Sequence, residues 1–181
     1  MEEVEAHAER VLASVPPWLW DGESLPVPIE DVADSHFGLL IREVDDLTAT
    51  PGVPDLHDAQ TLSGLLLPDR GEIRVNGAEA RRWPARRRFT VGHELGHFCL
   101  HHQQGDAPVW CRTGCVEEQE RKADLPPLPP EEEEANAFAA ALLMPARLIR
   151  RHYRKGMDFF AFCERFGASG SAMGKRLHRV I

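Results

Sequence analysis

Residues 89–102 read FTVGHELGHFCLHH, and within them His93-Glu94-Leu95-Gly96-His97 sets two histidines four positions apart. On an α-helix that spacing puts both imidazoles on one face, about one turn apart, so two ring nitrogens can reach one metal ion. Glu94 lies one step round the helix from His93, where its carboxylate can lean over a metal without ligating it and polarise a water. This is the H-E-x-x-H arrangement of zinc hydrolases. Short matches to it arise by chance, so the surroundings carry weight. Phe89, Val91, Leu95, Phe98 and Leu100 supply the apolar surface of a buried helix. Gly96, between the two histidines, lets a second backbone come close.

Two imidazoles leave a catalytic zinc one protein ligand short. His101 continues the stripe, but eight residues of straight helix separate it from His93 by about 12 Å, too far to share one ion. The longer H-E-x-x-H-x-x-G-x-x-H pattern needs glycine at position 100 and histidine at 103, and this chain has Leu100 and Gln103. His101 and His102 instead suit the C-terminal end of the helix, where the dipole favours imidazolium. A better source is PPEEEEANAFAAALLMP, residues 129–145. Acids in a first helical turn suit its positive end, so most of Glu131 to Glu134 are expected to face water. Ala135, Phe138, Ala139, Leu142 and Leu143 form a buried stripe, and Glu132 falls on its edge. Asn136 is placed to brace a metal ligand from behind.

RRFTVGHELGHFCLHH (residues 87–102) followed by EEEEANAFAAALLMP (131–145) resembles the ImmA/IrrE family of metallopeptidases. SGLLLPDRGEIRVN (63–76) resembles that family's hairpin before the active-site helix, and the resemblance extends over residues 28–180. It implies a zincin, similar in core to thermolysin, with Glu94 as the base. The resemblance also implies Zn2+ held by His93, His97 and the glutamate of an E-x-x-A-[ND] motif. Aligned on Ala135 and Asn136, that glutamate is Glu132, with Glu131 or Glu133 next if the register slips. Several members of the family cleave helix-turn-helix repressors. A protein substrate of that kind, and regulatory proteolysis, are therefore implied here. Tyr153, the one tyrosine, is a candidate donor to the developing oxyanion, as are His152 and His178.

A chain of 181 residues with 43% hydrophobic content suits one metallopeptidase domain with a sizeable core. No apolar run approaches the length of a membrane span. The acidic start, MEEVEAHAERVLASV, lacks a signal-peptide apolar region, so a cytoplasmic protein with free thiols is expected. Of the net charge of −8, residues 146–181 contribute +7 and residues 1–145 contribute −15. A second basic cluster, RRWPARRR at 81–88, leads into the active-site helix.

Along the chain, residues 1–27 read as an N-terminal helical extension, its helix running from Glu3 to Val15 and ended by Pro16-Pro17. Residues 29–36 read as a helix and 38–44 as a strand. Leu62 to Leu67 and Glu72 to Asn76 read as a hairpin turning at Pro68 to Gly71. Residues 103–130 form a long proline-rich segment expected to be a loop. Helices are expected at 131–143, 146–154, 158–166 and 170–179. The class is α+β: a small, mostly antiparallel sheet packed on a helical core. The strand Glu72 to Asn76 is expected to offer a free edge to which a substrate peptide adds as a further strand. Cys99 and Cys163 sit in apolar helical settings. Cys111 and Cys115 lie in the long segment, where Cys111 is a candidate fourth zinc ligand. The rival to an enzyme is a DNA- or partner-binding regulator that uses the basic C-terminal helices, MDFFAFCERFGASGSAMGKRLHRVI at 157–181. With those helices read as part of the peptidase unit, direct nucleic-acid binding is not expected.

Overall fold

The structure, a computed structural model, describes residues 2–51, 53, 62–101, 109–112 and 128–181, the segment 109–112 by its backbone. Helix α1 spans Glu2–Ser14, and a short α2, Ile29–Asp31, continues as a π turn over Val32–His36. Strands β1 (Leu40–Val44), β2 (Leu62–Leu67) and β3 (Glu72–Asn76) follow, then α3 (Gly77–Arg82) and α4 (Pro84–His101). After β4 (Val109–Arg112) come α5 (Pro130–Leu143), α6 (Ala146–Arg154), α7 (Phe159–Phe166) and α8 (Gly170–Val180). No described helix is long and apolar enough to cross a membrane.

The hairpin forms where proline and glycine punctuate the apolar runs. β2 and β3 pair antiparallel from Gly64↔Val75 to Leu67↔Glu72. Between them Pro68–Arg70 makes a single 3-10 turn, closed by Gly71 at φ 57°, a conformation that costs other residues more. β1 lies parallel to β3, from Leu40↔Glu72 to Val44↔Asn76, and the sheet order is β1-β3-β2-β4. β3 therefore does not offer the free edge expected of it. The side left open by the hairpin is taken by β1, a pairing from far upstream that local alternation cannot reveal. The expected loop also contributes a strand, β4, which pairs antiparallel with β2. The rest of that segment, with His102 and Cys115, lies outside the described residues.

α4 packs against the sheet, meeting β2 at Thr90 and Glu94, and against α5. Asn76 caps α3 by accepting from the Glu79 N–H, and its Nδ2 donates to the Leu62 carbonyl at 3.1 Å, tying strand to helix. The basic cluster is spent on anchoring. Arg87 makes a bidentate bond to Glu30 at 2.7 and 2.8 Å and also meets Glu43, while Arg88 donates to the Val27 carbonyl. One hydrophobic cluster runs from Val4, Ala8, Val11 and Leu12 of α1 to Phe162, Phe166, Met173 and Val180 of α7 and α8. The N-terminal helix is thus packed into the same core as the C-terminal ones.

Candidate metal centre

The site is made where α4 and α5 come unusually close. A Cβ added at Gly96 would stand 3.1 Å from the Ala135 Cα and its carbonyl oxygen, and one at Gly92 would stand 3.4 Å from the Ala139 Cβ. Small residues on both helices let the backbones approach, so short side chains can meet across the seam. His93 and His97, both buried, point from α4. From α5, Glu131 and Glu133 face solvent in the first turn, and Glu132 turns inward one turn before the buried Ala135.

The three side chains converge. His93 Nε2 and His97 Nε2 are 3.0 Å apart. The Glu132 carboxylate lies 3.2 Å from each, through Oε2 and Oε1 respectively. Asn136 Oδ1 accepts from His93 Nδ1–H at 3.0 Å. That bond fixes the ring tautomer, so the His93 Nε2 lone pair faces His97 and Glu132. With His97 Nε2 unprotonated as well, two nitrogen lone pairs and a carboxylate are aimed at one point, an arrangement that a cation among them relieves. The spacing fits a metal: bonds of about 2.1 Å in a tetrahedral zinc site place ligands roughly 3.4 Å apart. Among the described residues His93, His97 and Glu132 are the one such cluster. Burial by itself would raise the Glu132 pKa; with no cation bound, His93 and His97 in their protonated forms donate to the carboxylate, outweigh burial and hold the carboxyl at about 2. It is an anion at any working pH.

Glu94 is completely buried, beneath β2. There the sheet has a gap: a Cβ at Gly64 would stand 2.5 Å from Glu94 Oε1 and 2.5 Å from Thr90 Cγ2. Gly64 is a site residue that the sequence reading missed. Its signal was a glycine interrupting the apolar strand LSGLLL, which often marks close backbone approach. His101 stays out of the cluster, at the end of α4, 3.4 Å from Glu134. Burial pushes the Cys99 thiol up to about 12 and raises that of Cys163, and both pack, partly buried, against the hydrophobic cluster. Of the three candidate oxyanion donors, Tyr153 and His178 are exposed and His152 is buried against Phe166.

The family model of the IrrE N-terminal-like domain, a peptidase family, matches residues 56–178. No curated protein matches the chain. A solved structure described as a Mycobacterium tuberculosis transcriptional regulator is similar, with a TM-score of 0.57 and 19% identity, over 98% of this chain and 47% of that one. The chain thus spans about half the length of that protein, and at this identity the likeness is one of fold.

Proposed function

The chain belongs to the ImmA/IrrE family of metallopeptidases through its IrrE N-terminal-like domain, and on that premise we propose that it is a zinc-dependent endopeptidase. Its substrate is a cytoplasmic protein of the helix-turn-helix repressor class, cut for regulation. The observation that carries the reading is the convergence of His93, His97 and Glu132 within 4.8 Å, beside a fully buried Glu94. The repressor class is supported by the sequence resemblance.

In this reading His93, His97 and Glu132 hold the metal. When bound there, zinc brings the pKa of a coordinated water to about 7 and polarises the scissile carbonyl. Glu94 takes a proton from the attacking water and hands it to the leaving amine. Its place under β2 holds the carboxylate in one position beside the metal ligands. Asn136 holds the His93 ring so that Nε2, not Nδ1, is the ligating atom.

Metal analysis and co-expression with a neighbouring helix-turn-helix repressor test this. The wild type is expected to carry about one zinc per chain. Glu132→Ala loses it, while Glu131→Ala and Glu133→Ala keep it. Glu94→Gln keeps zinc and leaves the repressor intact where the wild type cuts it. Cutting by Glu94→Gln at the wild-type rate would remove the glutamate from the mechanism.

A further inference from the structure

β2 has two edges, one closed by β3 and the other by β4. β4 lays extended backbone along β2 antiparallel, with Val109 opposite Leu66, Trp110 opposite Leu65 and Cys111 opposite Gly64. Gly64 is the β2 residue pressed against the Glu94 carboxylate. β4 also comes against α4, the helix that carries both histidines. The backbone of β4 therefore passes along β2 where that strand touches the proposed base.

An extended peptide reaching Glu94 along β2 would need the same row of backbone N–H and C=O groups that β4 now uses. The two cannot pair with that edge together. β4 is also a weak holder of it. It has four residues, and its ladder slips between Leu62 and Gly64, where Leu62 pairs with Arg112 and Gly64 with Cys111. Its advantage is tethering, because a strand on the same chain competes at a high effective concentration. We propose that β4 is the chain's own occupant of the substrate-strand position and that the peptidase is latent while Val109–Arg112 pairs with β2. The proposal rests on the peptidase reading above. A loose peptide competes poorly with a tethered strand. A folded protein docked elsewhere on the molecule presents its extended segment at comparable effective concentration and displaces it. Latency of this kind gives selectivity for a docked protein over unfolded chains.

The test breaks the pairing through the backbone. Successive amides of a strand point to opposite edges, so one of Trp110→Pro and Cys111→Pro must remove an N–H directed at β2. Both are made in the Glu94→Gln chain, and hydrogen exchange is read at the β2 amides. In one of the two, amides that face β4 should exchange about tenfold or more faster, while those facing β3 stay protected. A synthetic peptide carrying VWCR between glycines should restore protection, and its scrambled form should not. With Glu94 restored and zinc bound, the same proline variant should digest denatured β-casein about tenfold or more faster than the wild type. Unchanged exchange in both variants overturns the proposal, as does lost protection that the peptide fails to restore. Equal digestion by an active wild type and the variant overturns the latency. If the wild type cuts the helix-turn-helix repressor but the zinc-loaded variant gains nothing on casein, the latency falls; if the zinc-loaded wild type and variant leave the repressor intact as well, with exchange behaving as expected, the peptidase reading falls instead.

Discussion

The region around α4 and the region of α7 and α8 pack by opposite means. Around α4 the contacts are made by residues with almost no side chain: Gly92 and Gly96 against Ala135 and Ala139, and Gly64 over Glu94. At the C-terminus they are made by large ones, with Phe162 stacked on Phe166 and Met173 buried beside them. The first arrangement brings backbones close enough for a histidine and a glutamate on different helices to meet at 3.2 Å. The second fills volume. Its buried cation, Arg176, reaches the Glu5 carboxylate of α1 at 2.7 Å and the Met144 carbonyl at 2.8 Å. A cation so used does not read DNA, and the +7 balance of this region is partly internal wiring. Close approach serves chemistry here, and bulk serves anchorage.

Gly64→Ala should show the largest effect. Its Cβ must displace the Glu94 carboxylate, so cleavage is expected to fall about 100-fold while zinc content is unchanged. Loss of zinc along with activity would show that the residue supports the fold and not the base. Gly96→Ala meets backbone rather than a movable side-chain end. The seam must open by a few tenths of an ångström, at a cost of about 2 kcal/mol in urea unfolding of the metal-free protein. Zinc affinity should drop with it, and undiminished affinity would separate the seam from the site.

Glu5→Gln probes the other region. Burial by itself raises the Glu5 pKa, but hydrogen bonds from Arg176 outweigh it and hold it below its ordinary 4.5. A depressed folded-state pKa gives stability that is present above 4.5 and lost as pH falls through the folded value. The variant should therefore lose about 1–2 kcal/mol at pH 7 and keep its zinc, and the gap to wild type should close as pH drops below 4.5. A pH-independent gap would mean that packing, not charge, is what Glu5 supplies. The smallest effect has the opposite sign. Gly174, inside α8, has nothing within 4 Å of an added Cβ. Gly174→Ala should stabilise the protein by about 0.5–1 kcal/mol in thermal unfolding, where Gly96→Ala destabilises it. A loss at Gly174 would erase the contrast between the regions.

The histidine spacing, the hairpin, the helices from α5 to α8 and the edge position of Glu132 all follow from patterns within a few turns of chain. Local geometry determines these: a 3.6-residue period, a Pro–Gly turn, acids at a helix start. The resemblance of two short motifs to a metallopeptidase family then joined His93 and His97 to Glu132 across about 35 residues. What tertiary structure alone decided is every pairing between distant segments. β1 took the side of β3 that sequence left open, β4 emerged from a proline-rich stretch, and Arg87 and Arg176 found Glu30 and Glu5. No periodicity encodes these partners, because each depends on which surface the rest of the chain leaves unfilled. Gly64 belongs to both accounts. Its lack of a side chain is written in the sequence, but that the space belongs to Glu94 is settled only when α4 packs beneath β2.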